Sequence, residues 1–558
     1  MKNVTLCGGS GTRSRFRLGS PKYRAVPVVK IGKCANGWNC PRPCEKSLSW
    51  RKLGILLLLG QCIRSYRHIT AYTATLYCSM IGADRLFTQP RPKADLRDYL
   101  CCWSGCVGDG RRSRRPSRFK RHCPFAQRNY RFQLPVLMIG AVSPGAEPLT
   151  ANRRHRRVCS TRYSPSETAI RALIIGGGIG GLAAAVALQR VGIEAVAFER
   201  SPRLAEVGAG LSLWANAMIA LRRLGLETAA LDVGSVIQST RTFFPHGKAF
   251  GRMDIAALGR EVGASSICLH RAALQRILLD AARVVHPASV ETGRECVGFE
   301  ADKAGISALF ADGSQERGDL LIGADGVHSV IRRQLFGDEN LRFAGYVAWR
   351  GVAGATIKPP LDREPLIVLG RGSQGGCFCC GHGRIYWYLT SNCRPGLTAG
   401  PLGNRADVNE RIKGWHVPFR CFVEATPEEA ILRNDIVDRP ARRVWGVGRV
   451  SLLGDAIHAM TPDLGQGACQ ALEDAVILAD SLRRCPSAEA GLRDYEARRR
   501  HRANFVAAQS RQMSQVLQLS HPIAVWLRDT LGTTPWATNR AVKLFKRLFL
   551  SELPVLAS

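Results

Sequence analysis

Ala172-Leu-Ile-Ile-Gly-Gly-Gly-Ile-Gly-Gly181 is the stretch on which the fold turns. Its four apolar residues read as a buried strand, and the run Leu182-Ala-Ala-Ala-Val-Ala-Leu188 behind it reads as a small-residue helix. Between them lies Gly176-x-Gly178-x-x-Gly181, with Gly180 a further bare position in the same turn. In such a unit the first glycine permits the tight turn, the second lets the backbone approach a pyrophosphate, and the third lets helix and sheet pack closely. The helix then points its amino end, with its unpaired N–H groups and positive dipole, at the anion.

A second strand, Glu194-Ala-Val-Ala-Phe-Glu199, ends in an acid 18 residues after Gly181 and is followed by Arg200. A carboxylate there accepts hydrogen bonds from a ribose 2′-hydroxyl and argues against a 2′-phosphate at this site. Glu199 is therefore the expected ribose ligand. Taken alone, the glycine fingerprint leaves NAD, NADP and FAD open.

Two distant segments narrow the choice. Leu320-Leu-Ile-Gly-Ala-Asp-Gly-Val-His-Ser-Val-Ile-Arg332 reads as a strand, a tight Asp-Gly turn and a helix, with Asp325 either a turn former or a ligand. Val450-Ser-Leu-Leu-Gly-Asp455 is a further strand ending in Gly-Asp, followed by Pro462, Gly465, Gln466, Gly467 and a helix from Ala468. On that helix Ala468, Ala471, Leu472, Ala475, Val476 and Ala479 form one apolar face, expected to be core.

Together these three segments resemble the three fingerprints of the FAD-dependent aromatic-ring flavoprotein monooxygenases, across roughly residues 168–520. The resemblance implies that Asp455 binds the ribityl hydroxyls. It places the Gly465–Gly467 turn, with Pro462, Gln466 and Ala468, against the flavin, where bare amides stabilise developing negative charge. It also runs Glu206-Val-Gly-Ala-Gly-Leu-Ser212 beneath the ribityl chain, with Ser212 offering a hydroxyl. Arg271, in Leu269-His-Arg-Ala-Ala-Leu-Gln-Arg-Ile-Leu278, falls where the family sets a guanidinium near the cofactor phosphates. Asp325, Gly326, Ser329 and Arg332 match the second motif, implicated in both FAD and nicotinamide binding. His458 belongs to the third motif and is also a general-base candidate.

Between the second and third motifs, at about 340–440, come Tyr346–Val352, Leu366–Leu369, Cys377–Cys380 and Arg384–Leu389, β-formers punctuated by glycine. They predict an inserted antiparallel sheet, which the resemblance makes the substrate domain. Tyr346, Trp349, Arg350, Tyr386 and Tyr388 are able to line a pocket for a flat substrate, although each also reads as strand pairing or core. Cys377-x-Cys-Cys380 alternates faces along a strand and gathers no metal site, so none is expected. The pattern is most similar to urate hydroxylase-like and zeaxanthin epoxidase-like members. Urate hydroxylases place an arginine near where this chain has Gln374, a departure from the urate pattern.

The fold class expected is α/β: a Rossmann-like FAD-binding domain (166–520) with the inserted sheet, a C-terminal helical tail (521–558) and a disordered basic N-terminal extension (1–165). By resemblance, NADH or NADPH reduces FAD, O2 forms a flavin hydroperoxide, and a small aromatic or unsaturated substrate is hydroxylated or epoxidised. That chemistry belongs to the cofactor. No nucleophile elbow, P-loop or zinc-protease motif competes with it. One alternative keeps the fold as a flavin reductase or dehydrogenase.

The extension differs in kind. Residues 1–165 carry 32 Lys+Arg against 6 Asp+Glu, whereas the remaining 393 residues carry 47 against 38. Low acidity, runs such as Arg111-Arg-Ser-Arg-Arg115 and the lack of periodicity predict disorder. Three accounts compete: a targeting region, a basic arm for nucleic acid or lipid, and upstream sequence misjoined to an enzyme that begins near Ser166, the account favoured by the abrupt shift in composition. No nucleic acid is expected for the enzyme domain. Leu53–Gly60 and Leu134–Val142 are too short to cross a bilayer. The nine cysteines after residue 166 are odd in number and irregularly spaced, as expected of reduced thiols in a cytoplasmic protein, with organelle targeting by the extension the alternative. The basic end Ala541–Phe549 reads first as an amphipathic packing helix and second as a peripheral membrane contact.

Overall fold

The computed structural model describes residues 170–204, 209–354, 364–396, 400–415 and 419–556. The expectations for the extension, and for Glu206, lie outside these residues.

The first layer is a six-stranded sheet in the order 446–447, 450–452, 320–323, 171–175, 194–199, 290–292, parallel except for the pairing of the first two strands. Strand Arg171–Ile175 is buried from Ala172 to Ile175, and helix Ile179–Gln189 packs on it through a nearly continuous buried run of alanines and leucines. Small side chains allow that close approach, as the sequence required. The strand has its sequence successor, Glu194–Glu199, on one side and Leu320–Gly323 on the other. Chain order therefore reverses here, and ligands in open α/β sheets bind at the carboxy ends beside such a switch point. In register, Ile175 pairs with Gly323, and Gly323 with Leu452. The three glycine-bearing segments, scattered over nearly three hundred residues of sequence, thus end side by side.

The second layer is a seven-stranded sheet in the order 432–438, 342–353, 385–392, 373–379, 366–369, 239–243, 249–254. It is antiparallel except where Leu366–Leu369 runs parallel to Ser239–Phe243. Its last two strands come from before the second motif, outside the range about 340–440 in which the sequence located it. Register fixes its faces. Arg350 lies opposite Tyr388, Val352 opposite Tyr386 and Tyr386 opposite Phe378, so these share one face. Val347, Trp349, Trp387 and Leu389 share the other, where they form a separate core with Phe419 and Phe422.

Helices Gly467–Arg484 and Ala488–Leu517 close the molecule, followed by Pro522–Gly532 and Pro535–Phe549. The first is buried from Cys469 to Leu482 on all sides rather than along one apolar face. Its polar residues Gln470, Glu473 and Asp474 are therefore core as well. Among the described residues no helix is long and apolar enough to cross a membrane.

Candidate functional site

The glycine turn is sterically determined. A Cβ on Gly181 would lie 1.9 Å from the Gly176 carbonyl oxygen, and one on Gly176 would lie 2.5 Å from the Ala324 carbonyl oxygen. A Cβ on Gly178 would meet nothing within 4 Å. The first two positions are bare because backbone crowds them; the third opens outward, at the cap of a helix whose first N–H groups lack partners within it. A Cβ on Gly180 would press on Leu453 of the third motif, so the first and third motifs touch here.

Glu199 ends its strand against this turn. Its Oε2 accepts from Gly177 N at 2.8 Å and its Oε1 from Ser201 N at 2.9 Å. Each oxygen keeps a further lone pair for a ligand hydroxyl. Arg200, next along, is exposed. Arg271 is the first residue of helix Arg271–Val285, its backbone N–H donating to Ala209 O and its side chain exposed. One turn on, Gln275 Nε2 donates to Gly177 O at 2.9 Å. Gln275 was missed in the sequence; the i,i+4 spacing from Arg271 is the signal that could have found it.

Asp325 is divided in its work. Its Oδ2 accepts from Val330 N at 2.7 Å and Ile331 N at 3.3 Å, tying down the following helix, while Oδ1 is buried without a hydrogen-bond partner. Burial pushes its carboxyl pKa up, against hydrogen bonds from Ser329 and the backbone. A buried acceptor left open beside the cradle is what a cofactor hydroxyl or amide would fill. Asp455 starts the short helix Asp455–His458, exposed, with its Oδ1 3.9 Å from where a Cβ on Gly467 would sit. Pro462–Leu464 forms a single 3-10 turn, Gly465 takes φ +61°, and Gly467 opens the long helix, with Gly467 and Ala468 half-buried at its amino end. Ser212 lies on strand Gly210–Leu213, half-buried and paired with Cys268. Open glycine backbone, helix amino ends, the Glu199 carboxylate beside the glycine turn and the unfilled Asp325 oxygen make a donor and acceptor set that fits FAD.

Beneath the third motif lies an ionic cluster that the sequence concealed. Arg499 donates to Glu473 at 2.6 Å and to Asp474 at 2.7 Å, and Arg502 donates to Glu473 at 2.6 Å. Asp474 Oδ2 lies 2.6 Å from His458 Nε2 and accepts from Gly454 N at 3.1 Å. Asn216 joins Glu473 to Gln466. Although burial raises the Asp474 pKa, His458 and Arg499 together outweigh it and hold the carboxyl well below its ordinary range. His458 is thus seated in the core against Trp445, where it positions the Gly454–Asp455 turn.

On the sheet, Tyr346, Arg350, Gln374, Tyr386 and Tyr388 fall on the face turned toward the cofactor domain. A Cβ on Gly210 would strike the Tyr386 ring at 2.3 Å, so this ring lies directly against the strand that carries Ser212. Phe378, Tyr386 and Tyr388 form an aromatic group with centroids 6.1–6.4 Å apart. Gln374 Nε2 donates to the Tyr388 hydroxyl at 3.0 Å, and Arg350 donates to Asn434 at 2.6 Å. The Tyr346 hydroxyl donates to Asp463 Oδ2 at 2.5 Å, linking the sheet to the third motif. Burial lifts the Asp463 carboxyl to about 6 against hydrogen bonds from Tyr346 and Thr461. Trp349 follows its other reading, core: it points to the opposite face, with Arg411 and Arg433 over its ring. Single-residue alternation along the strand decides this. Among the described residues no group of three or more His, Cys, Asp or Glu could hold a metal.

Residues 169–510 match the FAD binding domain family. The chain is 40% identical over 367 residues to the aurachin C monooxygenase/isomerase of Stigmatella aurantiaca, covering 65% of this chain and 94% of that protein. It is 33% identical over 371 residues to an FAD-dependent urate hydroxylase of Klebsiella pneumoniae, covering 65% and 96%. The crystal structure of Klebsiella pneumoniae HpxO complexed with FAD and uric acid superposes with a TM-score of 0.64 at 30% identity, covering 68% of this chain and 96% of that one. The chain belongs to the FAD-binding-domain family of aromatic-type flavoprotein monooxygenases, and it is an oxidoreductase that binds FAD.

Proposed function

We propose that the protein uses NADH or NADPH and O2 to hydroxylate or epoxidise a small aromatic or unsaturated substrate, oriented on the tyrosine-bearing face of the seven-stranded sheet. The observation carrying this reading is the contact of Tyr386 with Gly210, which brings that face to the cofactor cradle. Bound FAD would supply electron transfer and oxygen activation. The protein's part is to hold and orient.

Glu199, Arg200, Arg271, Gln275, Ser212 and Asp325 would secure the nucleotide side and ribityl chain, and Asp455 with the Pro462–Ala468 turn would meet the flavin end. The helix amino end at Gly467 offers fixed donors to developing negative charge. Tyr386, Tyr388 and Phe378 supply flat apolar area, while Gln374 and Arg350 add donors that select a substrate's polar edge. Asp463 sits where a substrate proton could be accepted: its oxygen already receives one hydrogen bond from Tyr346. The domain limits 166–520 and a tail from 521 belong to the same proposal, with the sheet expected at about 340–440 extended by strands 239–243 and 249–254.

The test is a screen of aromatic and unsaturated compounds that follows NADH and NADPH oxidation, with peroxide measured alongside and product formed under 18O2. Incorporation of labelled oxygen into product is expected. Nicotinamide oxidation without label in any product would replace this reading with a reductase or dehydrogenase.

A further inference from the structure

We propose that the helices Pro522–Gly532 and Pro535–Phe549 dock the protein on an anionic lipid surface. Helix Pro535–Phe549 packs inward as an amphipathic helix should: Phe549 stacks on Trp214 and Phe545 meets it edge-on, with centroids 5.6 and 5.7 Å away, and Leu548 is buried. Helix Pro522–Gly532 is held as firmly. Arg528 donates to Leu517 O at 3.2 Å and Gly370 O at 3.1 Å, and the Phe250 ring fills the space beside Gly532.

What these anchors leave outside is apolar. Ile523, Trp526 and Leu527, spaced i, i+3, i+4 and so on one helix face, are 56%, 62% and 46% exposed, and Trp536 is 49% exposed. Of the twelve strongly exposed large hydrophobics among the described residues, six lie between 523 and 555, including both tryptophans. Such clustering on well-fixed helices marks an interaction surface.

Its charge selects the partner. From Thr530 to Ser551 the chain has no acid and four cations, Arg540, Lys543, Lys546 and Arg547. Lys546 is matched by Glu261 at 2.7 Å and Arg547 lies over Phe505. Arg540 and Lys543 are exposed about one and two turns beyond Trp536, with Arg540 5.8 Å from its ring. Tryptophan beside lysine and arginine, around a short aliphatic ridge, suits the headgroup level of an anionic bilayer. No described helix can cross, so the contact is peripheral. Ala541–Phe549 follows the first of its two readings and packs inward, and the exposed apolar side chains Ile523, Trp526 and Leu527 lie on the helix before it.

The experiment compares flavin-loaded full-length protein with the variant Ile523→Gln, Trp526→Gln, Trp536→Gln in co-sedimentation with phosphatidylcholine vesicles, with and without phosphatidylglycerol. Sodium chloride at about 1 M shortens screening to about 3 Å and suppresses attraction through the basic first 165 residues. Because the three side chains are exposed, the variant's flavin content and melting temperature should match the wild type. The variant's partitioning is expected to fall at least tenfold at high salt, where the extension's attraction is suppressed. Charge reversal by Arg540→Glu and Lys543→Glu should weaken the preference for phosphatidylglycerol at low salt. Equal partitioning of wild type and triple variant overturns the proposal, as does wild-type self-association that the variant loses without any difference on vesicles, which would make the face a protein interface.

Discussion

The carboxy ends of strands 171–175, 320–323 and 450–452 present mostly backbone, whereas the sheet built from 342–438 and 239–254 presents mostly side chains. In the first region Gly176 and Gly181 are crowded by carbonyl oxygens while Gly178 opens outward. In the second, the working surface is tyrosine, glutamine and arginine, and the residues immediately next to them in sequence face a different core. A backbone site tolerates almost no substitution but makes no choice among substrates. A side-chain site can be rebuilt to choose among them while the cofactor stays in place.

Gly181→Ala should be the most damaging change, since its Cβ would meet the Gly176 carbonyl oxygen at 1.9 Å and neither backbone can yield cheaply. A loss of more than about 3 kcal/mol and of bound flavin is expected, read by chemical denaturation and absorbance. Preserved flavin binding would show that the turn is softer than the contrast requires.

Arg499→Ala comes next. It leaves Glu473 and Asp474 buried with reduced compensation, and loss of one partner in such a cluster costs about 3–5 kcal/mol. If denaturation instead gives less than about 1 kcal/mol, the third motif does not depend on the cluster beneath it.

Asp455→Ala and Glu199→Ala should each weaken FAD affinity, by about 1.5–3 kcal/mol for Asp455, a charged acceptor, and less for Glu199. Titration of the apoprotein with FAD measures both. Substrate preference should be unchanged, and a shift in preference would blur the division between the two regions.

The smallest effect is a pH dependence. Between about pH 4 and about 6 the folded chain keeps the Asp463 proton that the unfolded chain has lost, so this group makes stability fall as pH rises through that window. Asp463→Asn should remove that component of the slope, whereas Tyr346→Phe should alter it by removing a hydrogen bond to the carboxylate. Identical stability–pH curves for all three proteins would contradict the burial of Asp463.

The same contrast explains what could be read in advance. Glycines that backbone crowds, such as Gly176 and Gly181, are visible as spacing, and so were the strands around them. Tyr346, Tyr386 and Tyr388 were visible as residue types, but the face each occupies depends on pairing between strands far apart in sequence, and the same pairing decides that Trp349 takes its core reading. Strands 239–243 and 249–254 joined the sheet through a parallel pairing with 366–369 that no local pattern encodes. Glu473 and Asp474 lie off the apolar face read from Ala468 to Ala479, and nothing local marks them as core because their partners, Arg499 and Arg502, sit on another helix. Local chemistry was legible; long-range charge pairing was not.

The most direct test of the account is the absorption spectrum of the purified protein, before and after denaturation, with the released chromophore identified. The expected result is a yellow protein that releases intact, non-covalently bound FAD, and an apoprotein that regains the colour when FAD is restored but fails to do so as Asp455→Ala at the same FAD concentration. A colourless wild-type protein that cannot be reconstituted with FAD would contradict it.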